Sequence, residues 1–94
     1  MITLTADGQS STLDWFPGEG TLTAQDTAAG TFGTLTLQFS LDGGTTWDSV
    51  GSDTTLTASG GGLFQLGTCK LRLDLSGSTS ANILVTVERT ESPR

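Results

Sequence analysis

The stretch Ser40-Leu41-Asp42-Gly43-Gly44-Thr45-Thr46-Trp47 decides how this chain is read, because it is the best-specified turn in the sequence. Before it, Leu35, Leu37, Phe39 and Leu41 alternate with Thr34, Thr36, Gln38 and Ser40, the period-two pattern of a strand with one buried face. After it, Thr45, Thr46, Trp47 and Val50 suit a returning strand. An aspartate accepts bonds from nearby backbone amides, and glycine enters positive φ without a Cβ penalty. Asp42, Gly43 and Gly44 therefore break the two runs, and residues 34–50 are predicted to form a β-hairpin.

On the N-terminal side, Ile2, Leu4 and Ala6 alternate with threonines in a first strand, and Leu13 and Trp15 mark a second. Pro17-Gly18-Glu19-Gly20 closes the second strand, and Phe16 falls on the parity opposite to Trp15. Residues 21–25 make a thinly apolar strand that suits a sheet edge, followed by a small-residue loop carrying Phe32.

On the C-terminal side, residues 54–58 form a short strand and Ser59-Gly60-Gly61-Gly62 breaks the chain before Leu63-Phe64-Gln65-Leu66. Cys69, Leu71, Leu73 and Leu75 then point inward, while Lys70, Arg72 and Asp74 point outward, either as a solvated row with Asp74 paired to Lys70 or Arg72, or as part of an interface. Ile83, Val85 and Val87 carry the last strand, with Leu84 on its other face. No segment shows helical periodicity, and strand candidates recur about every 8–12 residues. The expected fold is all-β: a small antiparallel β-sandwich of 8–9 short strands, jelly-roll-like or immunoglobulin-like, with Trp15 and Trp47 as the large pieces of the core. It forms one domain over residues 1–90, with an N-terminal arm at 1–6 and a flexible tail at 91–94.

Composition narrows the partners. Only 34% of the 94 residues are apolar, so little area is available to offset conformational entropy, and support from a partner or a second copy is expected. Ten acidic residues against four basic ones give a net charge of −6, which disfavours nucleic acid because no cationic surface exists to release its counterions. Cys69 is the single cysteine, which excludes an internal disulfide, and its place on the leucine face predicts a buried thiol. The start of the chain lacks a basic region followed by an apolar run, and no segment approaches a membrane span, so synthesis in a cytoplasm and no membrane partner are expected.

Chemistry has few candidates. The chain has no histidine, which leaves its serines and its cysteine without the usual general base. Asp42 and Asp48 could be imagined as a glycosidase pair, or with Asp53 as calcium ligands, but the chain is small for a substrate cleft and the spacing matches no calcium loop. Gly60, Gly61 and Gly62 lack the following helix and the Gly-Lys-Ser/Thr ending of a phosphate loop. No catalytic residue, cofactor or metal is assigned.

Two resemblances add to this reading. Ser40, Asp42, Gly44, Thr46 and Trp47 resemble the Asp-box, a hairpin best known from sialidase propellers, which implies a structural staple whose Asp and Thr tie the turn while the aromatic plugs it to the sheet. The single copy and short chain exclude a propeller. Residues 31–87 look like small structural proteins of tailed bacteriophages, through the run Gly-Thr-Phe-Gly-Thr-Leu-Thr-Leu-Gln-Phe-Ser-Leu-Asp-Gly-Gly-Thr-Thr-Trp, Leu56-Thr57-Ala58, Cys69-Lys70-Leu71-Arg72-Leu73 and Leu75-Ser76-Gly77. That likeness implies a non-enzymatic capsid decoration, or cement, protein on the virion surface, made in the host bacterial cytoplasm. It also implies self-association, with a trimer favoured, and bridging of major capsid protein subunits. The candidate interface residues are Ile2 and Leu4 in the arm, with Phe16, Phe32 and Leu84. The alternative is a carbohydrate-binding or adhesive module of a phage head or tail fibre, using Trp47, Trp15 or Phe16 as a sugar platform.

Overall fold

Alternation across extended backbone organises the whole molecule. The computed structural model describes residues 2–27 and 30–89. In chain order it contains β1 (Ile2–Leu4), β2 (Gly8–Gln9), β3 (Leu13–Trp15), β4 (Gly18–Asp26), β5 (Thr34–Ser40), β6 (Asp48–Ser49), a 3-10 turn at Ser52–Thr54, β7 (Thr55–Leu56), β8 (Gly60–Leu66), β9 (Cys69–Ser76) and β10 (Ile83–Arg89). One antiparallel sheet has the order β1-β10-β4-β8. In the other, β2 and β3 both pair with β9, β9 pairs with β5, and β5 pairs with both β6 and β7. Each sheet therefore has four rows, and the smallest molecular dimension of 21 Å is that of two sheets packed about 10 Å apart with their outward side chains.

The core lies where the alternation places it. Leu22, Ile83 and Val85 from the first sheet meet Leu35, Leu37, Leu71, Leu73 and Leu75 from the second, each at most 1% exposed. Trp15 and Phe64 fill one end of this space, and Phe32 and Ala81 are buried in the same cluster.

The pairings have one centre. β1 pairs with β10, β2 and β3 with β9, β4 with β8, and β5 with β6 and β7, and in each case the partners are symmetric about the turn at residues 41–46. The chain is thus a long ribbon folded back at that turn. The ribbon is then rolled so that β5 also pairs with β9 and β4 with β10, which closes the two sheets. This is the wrapping of a jelly roll, and it selects between the two sandwich arrangements expected from the sequence. Ten strands appear because two of the eight rows are each made of two short pieces.

Several local expectations are corrected. The strand around residues 21–25 is not an edge: β4 is longer, begins at Gly18 and lies between β10 and β8. Its small inward residues make room for a large side chain from the opposite sheet, since a Cβ on Gly20 would stand 2.4 Å from Cη2 of Trp15. Gly60, Gly61 and Gly62 belong to β8 and do not break the chain. The returning strand after the central turn is reduced to Asp48–Ser49, with residues 41–46 forming bends. Leu41, in phase with the inward leucines, is 76% exposed because β5 ends at Ser40 and the turn leaves the pleat. Ile2–Leu4 is not a free arm but a strand paired to β10, and the tail at 91–94 lies outside the described residues.

Candidate functional site

The turn at residues 40–47 is held by a dense set of bonds. The Ser40 hydroxyl donates to Asp42 Oδ1 (2.6 Å) and accepts from the Gly44 N–H (2.9 Å). Asp42 Oδ1 also accepts from the N–H groups of Thr45 (3.1 Å) and Thr46 (2.9 Å). Trp47 Nε1 donates to the Gly44 carbonyl (3.0 Å), which fixes the indole against the turn. Gly43 and Gly44 take φ of 81° and 104°, the left-handed region in which a side chain is strained. Ser40, Asp42, Gly44, Thr46 and Trp47 are therefore brought together as a staple. Its aromatic, however, is half-buried on the outer face of the sheet and does not enter the core: the Arg72 guanidinium lies 4.4 Å above its ring while Arg72 Nε donates to Gln38 Oε1 (2.7 Å).

These bonds favour the charged carboxylate. Ser40 first, then the Thr46 N–H and hydroxyl and the Thr45 N–H, hold the Asp42 carboxyl well below the usual carboxylate range. Asp7 is lowered too, chiefly by the Ser78 hydroxyl and N–H, with the Gly77 N–H adding to them. Both groups bind protons more weakly folded than unfolded, so the stability they contribute is present above the ordinary value of 3.8 and is lost as pH falls below it. The thermal midpoint is expected to stay level between about pH 8 and pH 5 and to drop below about pH 4. Asp7→Asn with Asp42→Asn should flatten that acid limb in a pH series of melting curves, and an unchanged slope would show that other groups govern it.

Beside the turn, the ends of β3 and β9 meet it in an open groove of about 270 Å³. Phe16 and Leu41, 66% and 76% exposed, stand in its wall with Asp14, Lys70 and Gly43. Lys70 Nζ reaches Asp14 Oδ1 at 2.7 Å, replacing the expected pairing with Asp74. The reason is distance: directly opposed residues on neighbouring strands approach about 5 Å, closer than alternate residues of one strand. Asp14 and Lys70 are so opposed, and Asp74 instead accepts from Gln9 Nε2 (2.9 Å).

On the other side of the turn, Asp42 and Asp48 line one shallow hollow of about 230 Å³ with Phe39, Leu41 and Thr46. Asp42 is committed to the turn, and its lowered proton affinity is the opposite of what a general acid needs. Among the described residues, no three His, Cys, Asp or Glu side chains are placed to hold a metal ion. The Cys69 thiol is buried and burial pushes it up, away from reactivity.

The candidate contact residues separate into three groups. Phe16 is exposed in the groove; Ile2 and Leu84 are half-buried; Leu4 and Phe32, expected at the surface, are core residues at 8% exposure each. Phe32 is buried because its loop is clamped by the paired backbone bonds of Thr31 and Thr79 (2.8 and 3.0 Å). Leu41 and Leu63 were missed by the sequence reading. An apolar residue inside a turn whose neighbours are committed to turn bonds was the available signal for Leu41.

Comparison of the chain with protein-family models, curated proteins and solved structures found no match.

Proposed function

We propose that this protein is a non-enzymatic virion structural protein of a tailed bacteriophage, a capsid decoration protein that self-associates and bridges major capsid protein subunits. The observation that carries the reading is the groove at one end of the sandwich, which exposed Phe16 and Leu41 line together with the Asp14–Lys70 pair. Buried apolar anchors beside polar groups are what a protein partner uses, and each side chain would contribute about 1.5–3 kcal/mol on full burial. The rigid turn below Leu41 spares the interface the entropy of ordering a loop. The phage-like sequence pattern supports the choice of partner, and the jelly-roll wrapping is one that viral capsid domains share with lectins.

A glycan platform has less support. Trp15 is 4% exposed and the Trp47 ring is covered by Arg72, which leaves Phe16 as the exposed aromatic among the described residues. The deciding measurement is co-sedimentation of the purified chain with heads of the cognate phage stripped of surface proteins. Retention is expected, and Phe16→Asp with Leu41→Asp should weaken it about tenfold or more while exposed positions leave stability nearly unchanged. A chain that fails to bind heads, or a double variant that binds as well as the parent, would overturn the reading.

A further inference from the structure

The outer edge of β8 has the features of a strand that pairs with itself. β8 ends its sheet, with β4 on one side, and among the described residues no hydrogen bond engages its backbone on the other. It is seven residues long, whereas β1 at the opposite edge has three and the outer rows of the second sheet are pieces of two or three. Proteins blunt such edges with charge, proline, bulges or a covering loop. The 3-10 turn at Ser52–Thr54 packs on the inward side of β8, where a Cβ on Gly62 would meet the Asp53 carbonyl, but among the described residues it makes no backbone hydrogen bond to the strand. Residues 60–66, Gly-Gly-Gly-Leu-Phe-Gln-Leu, contain no charged residue and no proline, and Leu63 is 64% exposed.

We propose that β8 joins two copies of this chain, antiparallel about a twofold axis through Leu63, into one continuous eight-stranded sheet. The sequence of the strand is complementary to itself in this register. Leu63 meets Leu63 of the second copy, while Gly62 faces Phe64, Gly61 faces Gln65 and Gly60 faces Leu66. Each bulky residue of one strand thus lies opposite a glycine of the other. Gly62, Phe64 and Leu66 share the inward face, so the seam continues the core side of the sheet, and Leu63 and Gln65 continue the outward side. Charge permits this occupant: each chain carries −6, but β8 holds no charged side chain, so none faces its copy across the seam, whereas Asp14 and Asp48 stand in the outer rows of the other sheet and Asp53 lies beside the strand, in the hollow lined by residues 63–66. An isologous contact of this kind closes as a dimer and leaves no free β8 edge.

The test uses the full chain alone, so its outcome is separate from capsid binding at Phe16 and Leu41. Sedimentation velocity over a range of concentrations should show the mass moving from 9.7 kDa toward twice that value. Leu63→Lys sets two like charges opposite each other and should raise the dissociation constant about tenfold or more with an unchanged circular dichroism spectrum. In a Cys69→Ser background, Leu63→Cys should form a disulfide dimer with oxidised glutathione, because directly opposed Cα atoms lie within disulfide reach. Gln65→Cys should not, because the two copies of residue 65 are about 13 Å apart along the strands. A monomer at all concentrations, a monomer–trimer equilibrium, a dimer indifferent to Leu63→Lys, or equal cross-linking at 65 and 63 would each overturn the proposal.

Discussion

Replacing Trp15 with alanine is expected to remove about 3–5 kcal/mol of stability, the usual cost of deleting a large buried aromatic. Trp15 is 4% exposed and lies 4.9 Å from the Phe64 ring at an interplanar angle of 50°. Gly20 is small because the indole occupies the space its side chain would take. Arg89 lies over the same ring at 5.3 Å and donates to the carbonyls of Phe16 and Pro17, so the tryptophan also seats the segment that presents Phe16. A small domain has a margin of about 5–15 kcal/mol, and this one has a low apolar content, so the alanine variant should be close to unfolded at 37 °C.

Phenylalanine at the same position gives a sharper test. Trp15 Nε1 is buried and has no hydrogen-bond partner among the described residues. An unsatisfied buried donor costs about 1–3 kcal/mol, so Trp15→Phe regains that term while losing part of the ring contact. Urea unfolding should place it well above Trp15→Ala. Equal losses for the two variants would mean that the indole N–H is satisfied or that the second ring carries the packing.

The second large effect is expected at Ser40. The residue is 2% exposed, and its hydroxyl both donates to Asp42 and accepts from Gly44, so Ser40→Ala strands a backbone N–H and loosens the carboxylate that ties Thr45 and Thr46. The loss should be about 1–3 kcal/mol. Because the pairings along the ribbon are all arranged about this turn, most of that loss should appear as slower folding, with the unfolding rate little changed. A chevron plot separates the two limbs, and a variant that mainly unfolds faster would show that the turn closes after the transition state.

Local patterns were legible wherever one face of a strand is buried. The leucines at 71, 73 and 75 and at 35 and 37 read correctly as core because side chains alternate with a period of two. The turn at 40–47 was legible because Ser, Asp and Gly each satisfy a specific backbone demand. Reading failed where parity and burial part company. Trp47 looked like core, but its staple holds it on the outer face under Arg72. Gly60–Leu66 looked broken at its glycines, although β4 supplies the hydrogen bonds that keep them extended. The candidate site shows the same limit: Phe16 was singled out, but Leu41 and Lys70, which line the groove with it and with Asp14, come from two other segments and share no local signal with it.

What the sequence determined by itself was the all-β class, the faces of the strongest strands and the turn on which the ribbon folds. Tertiary structure alone decided the row order, the central place of β4, the groove and the open edge of β8. The physical reason is that alternation records which side of a strand is buried, while a strand's neighbours are set by backbone hydrogen bonds between residues far apart in the chain, such as Ile2 and Val85, and those bonds look alike for every side chain.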